Sequence, residues 1–100
     1  MNLRIKERLM RYAKRRDAND KKLVKFLRAI GYTVTDCTSF GNGHPDKIIS
    51  KGKKQWYVEI KNPNTAYGKQ GLSASQIKWM NETGHEIHIL RNEEDCKKLK

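Results

Sequence analysis

Between residues 23 and 30 the apolar positions fall at Leu23, Val24, Phe26, Leu27 and Ile30, the 3.6-residue period of a helix with one buried stripe. Asp17 is placed to cap its start, Asp20 adds negative charge at the positive end of its dipole, and Gly31 ends it. From Tyr32 to Thr38 β-branched residues alternate with others, which predicts a strand. Residues 40–45, Phe-Gly-Asn-Gly-His-Pro, read as a loop. Asp46 to Ser50 and Gln55 to Lys61 are two further strands, joined by a basic turn from Lys51 to Lys54 into a hairpin. A polar loop follows from Asn62 to Gly71. Ser73 and Gln76 have the spacing of a capping box, with Leu72 and Ile77 at the staple positions, so a second helix starts there. Ile77 and Met80 are expected to supply its apolar face, and Gly84 follows its end. Glu86 to Leu90 predicts a last strand. Asn92 is then placed to cap a short helix with Glu93, Glu94 and Asp95 in its first turn and Lys97 and Lys98 in its last.

The expected order is therefore α-β-β-β-α-β-α, an α/β fold with helices flanking a central sheet. One domain over residues 17–100 accounts for all of it, since no internal repeat or linker divides the chain and 100 residues suffice for a single core. Residues 1–16 stand apart. Arg4, Lys6, Arg8, Arg11, Lys14, Arg15 and Arg16 face only Glu7, and the apolar positions among them are irregular. They read equally as a basic arm that tracks a phosphate backbone and as a solvated terminus.

Composition sharpens this picture in one direction. Twenty-two Lys and Arg against eleven Asp and Glu give a formal net charge of +11. Such an excess favours a polyanionic partner, because neutralised phosphates release condensed counterions. No apolar run approaches the roughly 20 residues of a membrane span, so a soluble protein is expected. Cys37 and Cys96 lie far apart and share no metal-ligand spacing. The opening stretch does not read as a secretory leader, and reduced thiols in a cytoplasmic setting are the expectation.

The candidate chemistry lies in the hairpin. Glu59 and Lys61 are two apart on one strand and project from the same face, while Val58 and Ile60 project from the other. Asp46 begins the preceding strand with twelve residues between it and Glu59, so the hairpin can bring both carboxylates together. Phosphodiester hydrolysis needs such a set. A hard divalent cation takes one or two carboxylates plus waters, and a lysine beside it can hold or deprotonate the attacking water. Each residue alone is ordinary on a protein surface, and Glu59 and Lys61 could mark a solvent-facing side of the strand.

Pro45-Asp46, twelve residues, then Glu59-Ile60-Lys61 resembles the PD-(D/E)XK nuclease motif. Asp17-Ala-Asn19, a helix ending Leu27-Arg28-Ala29-Ile30-Gly31, the Gly-x-Gly-x-Pro-Asp loop and Leu72-Ser73-x-x-Gln76 extend the resemblance over residues 17–95. This series is similar to small virus-type replication-repair nuclease (VRR-NUC-like) domains, often encoded by bacteriophages. The resemblance implies a restriction-endonuclease-like core with a mixed sheet. It implies Asp46, Glu59 and the Ile60 carbonyl as ligands of Mg²⁺ or Mn²⁺, Lys61 as the residue that positions or activates water, and Gln76 near the metal or the scissile phosphate. Gln76 is also fully explained as a capping residue. Relatives carry a first-helix glutamate where Lys22 stands here, leaving Asp17 or Asp20 as substitutes or the position unfilled.

The expected activity is metal-dependent cleavage of DNA, structured or branched DNA included, by a homodimer in the cytoplasm of a bacterium or a phage-infected host. A non-catalytic basic nucleic-acid-binding module is the alternative. Arg15, Arg16, Lys53, Lys54, Asn62 and Lys69 are the candidate nucleic-acid contacts. His44 lies beside the Pro-Asp pair and is either at the site mouth or incidental. His85 and His88 lack a zinc pattern, and Trp56 and Trp79 read as core or interface aromatics.

Overall fold

The computed structural model describes residues 18–64 and 70–99. Among these residues the first helix, α1, spans residues 18–29 and buries Leu23 and Leu27 completely, with Val24, Phe26 and Ile30 packed beside them. The helix ends in a Schellman arrangement. Tyr32 N–H donates to Leu27 O and Gly31 N–H to Arg28 O, which satisfies two terminal carbonyls while Gly31 takes the left-handed φ of +103°. Leu27 and Tyr32, the residues that flank such a cap, both enter the core.

Among the described residues four strands form one mixed sheet in the order β1-β2-β3-β4. They are β1 (Thr33–Asp36), β2 (Lys47–Lys51), β3 (Lys54–Ile60) and β4 (Ile87–Leu90). The first three are antiparallel neighbours, and β4 runs parallel to β3. A parallel neighbour needs a long crossover, supplied by α2 (Ala74–Thr83). A five-residue helix, α3 (Glu93–Lys97), follows β4, with the Asn92 side chain accepting from Asp95 N–H. Register decides the faces. Val34, Ile49, Trp56, Val58, Ile60 and Leu90 share one side of the sheet, where α1 and Cys96 of α3 close the core. Tyr57 and Glu59 point to the other side, toward α2. Neither cysteine is in a disulfide, and both are buried. Among the described residues no helix is long and apolar enough to cross a membrane.

Several boundaries differ from the sequence expectation, each for a local reason. The first strand stops at Asp36 because its carboxylate accepts from both Thr38 N–H (2.9 Å) and Thr38 Oγ1 (2.6 Å), turning the chain into a short 3-10 helix over Thr38–Phe40. Asp46 lies just before β2, and Lys61 just after β3. Lys51 and Lys54 pair within the sheet, so the hairpin turn is only Gly52-Lys53. Gly52 at its first position takes φ +62°, as a two-residue connection with that twist requires. The apolar face expected of α2 is also corrected. Ile77 is 46% exposed, and the helix's buried residue is Gln76. Asp17, the residues 1–16 and Lys69 lie outside the described residues.

Candidate active site

The antiparallel register of β2 and β3 pairs Lys47 with Val58, which sets Asp46 opposite Glu59 across the strands. Asp46 N–H donates to Glu59 Oε2 at 3.3 Å. The second donor to that oxygen comes from α2, where Gln76 Nε2 lies 2.8 Å from it. Two donors on one oxygen hold the carboxylate from two directions. Gln76 reaches Glu59 without leaving its cap: its Oε1 accepts from Ser73 N–H at 2.9 Å, and Ser73 Oγ accepts from Gln76 N–H at 3.2 Å. One amide thus serves both readings that the sequence left open. Its carbonyl closes the capping box and its NH₂ anchors an acid 17 residues earlier in the chain.

Burial separates this cluster from a solvent-facing strand edge. Glu59 is 2% exposed and Lys61 4%, although both lie on the face away from the main core. Removing a carboxylate from water disfavours its charged form, and a second carboxylate nearby adds repulsion. Burial and the Asp46 carboxylate accordingly push the Glu59 carboxyl up to about 7, with Lys61 pulling the other way. An acid held in this condition gains from a proton or a cation.

Further contacts fix the surroundings. Gly43 permits the loop before Asp46 to lie against the first turn of α2. It adopts φ +81°, and a Cβ built there would fall 2.2 Å from Ser75 O. Asn19, on α1, donates to Lys61 O at 2.8 Å and reaches Arg91 O at 3.4 Å, tying the ends of the two parallel strands to the helix. Lys61 N–H continues the strand pairing to Leu90 O at 3.0 Å. The cluster therefore sits at the carboxyl ends of β3 and β4, where the crossover leaves the sheet and open α/β sheets form crevices.

Lys47 was not singled out from the sequence, yet it is 4% exposed. It lies on the core face, one residue from Asp46, and pairs with Asp20 Oδ2 at 3.4 Å and Asp36 Oδ1 at 3.3 Å. The Thr38 hydroxyl and amide hold the Asp36 carboxyl down to about 2. Burial raises the Asp20 carboxyl, against the pull of Lys47, and Asp46 is near enough to add repulsion. The first-helix acid is thus close to the cluster but engaged by Lys47, while Lys22 is exposed. Strand alternation was the available signal, since Lys47 shares its face with Ile49.

Other predicted residues fall elsewhere. Lys53 and Lys54 are exposed at the hairpin tip, and Lys54, five residues from Glu59, is already roughly 17 Å away along the strand. Asn62 is half-buried just beyond Lys61, its Oδ1 accepting from Asn64 N–H at 2.9 Å. Ile60 points its side chain into the core at 3% exposure. Trp56 is a core residue packed edge-on against Tyr32, with ring centroids 5.4 Å apart. Trp79 is half-buried on the Glu59 side of the sheet and contacts His44, Tyr57 and His85. Arg15 and Arg16 lie outside the described residues.

The donor set suits a hard divalent cation that keeps most of its waters, since such ions take one or two carboxylates from protein. Among the described residues no group of three His, Cys, Asp or Glu side chains forms a fuller metal cage. No protein-family model matches the chain, and no curated protein or solved structure is detectably similar to it.

Proposed function

We propose that the chain is a divalent-metal-dependent nuclease of the PD-(D/E)XK type, with a restriction-endonuclease-like core, and that it hydrolyses phosphodiester bonds in DNA. The observation that carries this reading is the buried Glu59 carboxylate, bonded by Gln76 and by the Asp46 amide, with the Asp46 carboxylate and Lys61 beside it. A module that only binds nucleic acid has no use for acids where phosphate must approach, because they repel it unless a cation intervenes.

Asp46, Glu59 and the Ile60 carbonyl would hold Mg²⁺ or Mn²⁺, which when bound supplies Lewis acidity and positions a water. Gln76 and the Asp46 amide orient Glu59 before any substrate arrives, so little reorganisation remains for the reaction itself. Lys61 Nζ holds or deprotonates the attacking water and screens charge developing on the phosphate oxygens. Asn19 secures the backbone that carries Lys61. Cutting both strands of a duplex symmetrically requires two such sites, and a homodimer in the cytoplasm of a bacterium or phage-infected cell completes the proposal. Structured or branched DNA is the substrate proposed.

The experiment is to incubate the purified chain with duplex, nicked, forked and four-way-junction DNA in Mg²⁺, in Mn²⁺ and in EDTA. Cleavage is expected with either metal, none in EDTA, and none from Lys61→Ala. Cleavage that survives EDTA overturns the mechanism, and no cleavage of any substrate by the wild-type chain overturns the activity.

A further inference from the structure

Phe40 is 61% exposed, a large aromatic held outside the core on the 3-10 turn. It is not loosely held. Phe40 N–H donates to Cys37 O at 3.0 Å, and Cys37 N–H donates to Asp46 O at 2.7 Å, so the ends of the loop that bears Phe40 are closed on the residue bearing the site's first carboxylate. Behind Phe40 the rings continue. His44 lies edge-on to it at 4.9 Å, Trp79 is 5.5 Å from His44, Tyr57 is 5.2 Å from Trp79, and His85 is 4.9 Å from Tyr57. Tyr57 precedes Glu59 by two residues on the same strand face, roughly 7 Å away along the strand. Trp79 lies about one helical turn beyond Gln76.

We propose that Phe40 and the rings behind it form a stacking surface for an unpaired nucleobase, belonging to the DNA strand whose phosphate lies at Asp46 and Glu59. This rests on the nuclease reading and narrows its substrate to DNA with unpaired bases at the cut. Aromatic faces stack on any base, so the surface tolerates sequence and selects for a base released from its duplex partner. Two imidazoles among the rings add polar edges that an aliphatic groove for a protein segment would lack. The chain's net charge of +11 supplies the attraction for the strand's phosphates, and the rings the contact with its bases.

The test uses the full chain with Ca²⁺ in place of Mg²⁺, and measures binding to a labelled forked oligonucleotide and to a duplex of the same length. Phe40→Ala is expected to weaken fork binding about tenfold and to leave duplex binding nearly unchanged, with no loss of thermal stability. Phe40→Trp retains fork binding. An abasic residue at the unpaired position costs the wild-type chain the same factor and costs Phe40→Ala nothing more. Equal effects on fork and duplex, or no effect on either, overturn the stacking surface. A change in oligomeric state without a change in fork binding overturns it too, and assigns Phe40 to contact between copies. If the wild-type chain cleaves DNA while Phe40→Ala binds as wild type does, only this inference fails. If the wild-type chain neither binds nor cleaves DNA, the nuclease reading fails with it.

Discussion

At the scale of single residues, Glu59 sets the terms. Its folded-state carboxyl is raised to about 7 from an ordinary value near 4.5, so the folded protein binds a proton that the unfolded chain releases. Stability from this group is complete below about pH 4.5 and is lost as pH rises toward 7. The metal-free protein is therefore expected to melt several degrees lower at pH 8 than at pH 5 on account of this residue. Glu59→Gln should flatten that dependence and raise the melting temperature at pH 8, which thermal denaturation in EDTA reads directly. A mutant that keeps the wild-type slope would place the titration elsewhere. Gln76 offers a second separation. Ser73→Ala removes the cap and should cost about 1 kcal/mol of stability with cleavage retained. Gln76→Ala keeps the backbone N–H that Ser73 Oγ caps but removes the Oε1 that accepts from Ser73 N–H, together with the Glu59 anchor, so cleavage should fall far more than the loss of stability explains. Equal activities in the two variants would reduce Gln76 to a capping residue.

At the scale of elements, the site exists because three of them meet. The β2–β3 register sets Asp46 opposite Glu59, α2 delivers Gln76, and Gly43 lets the intervening loop touch α2. Gly43→Ala should consequently cost more than its conformational strain, because Ser75 O is backbone and cannot move aside. Gly84 also has positive φ, but open space surrounds it. Gly84→Ala should cost about 1 kcal/mol, Gly43→Ala at least twice that with cleavage reduced, and chemical denaturation compares them. Similar losses at both positions would mean that the loop is not set by this approach. Much of this level was legible in the sequence. The α1 stripe, the Ser73–Gln76 box and the alternation in Val58-Glu59-Ile60-Lys61 each follow from local periodicity. What escaped was tertiary: the burial of Glu59 depends on α2 bringing Gln76 over a face that the strand pattern alone leaves open. Ile77 misled for the same reason, since an apolar residue at a staple position gave no sign that the sheet-facing place belonged to glutamine.

At the scale of the whole molecule, charge and topology serve different ends. The sheet order β1-β2-β3-β4 with one parallel pair brings the acids to the carboxyl ends of β3 and β4. The +11 charge would draw a polyanion there, although Lys53 and Lys54 sit at the far hairpin tip. The basic residues 1–16 are the strongest candidate for a phosphate-tracking segment. Deleting them should weaken DNA binding and lower the steepness with which affinity falls as salt rises. An unchanged salt slope would remove the arm from the interface. No local pattern in the sequence could have decided this, because a run of Lys and Arg suits solvent and phosphate alike.

The central claim is that Asp46 and Glu59 act together on a phosphodiester through a divalent ion. The most direct measurement is the single-turnover rate of Mg²⁺-dependent DNA cleavage by Asp46→Asn beside the wild-type chain, with both shown to be folded by their melting transitions. The predicted result is cleavage by the wild type and a rate lower by at least about a hundredfold in the variant, on the order of what losing one key electrostatic group costs an enzyme. A folded Asp46→Asn that cleaves at the wild-type rate would contradict it.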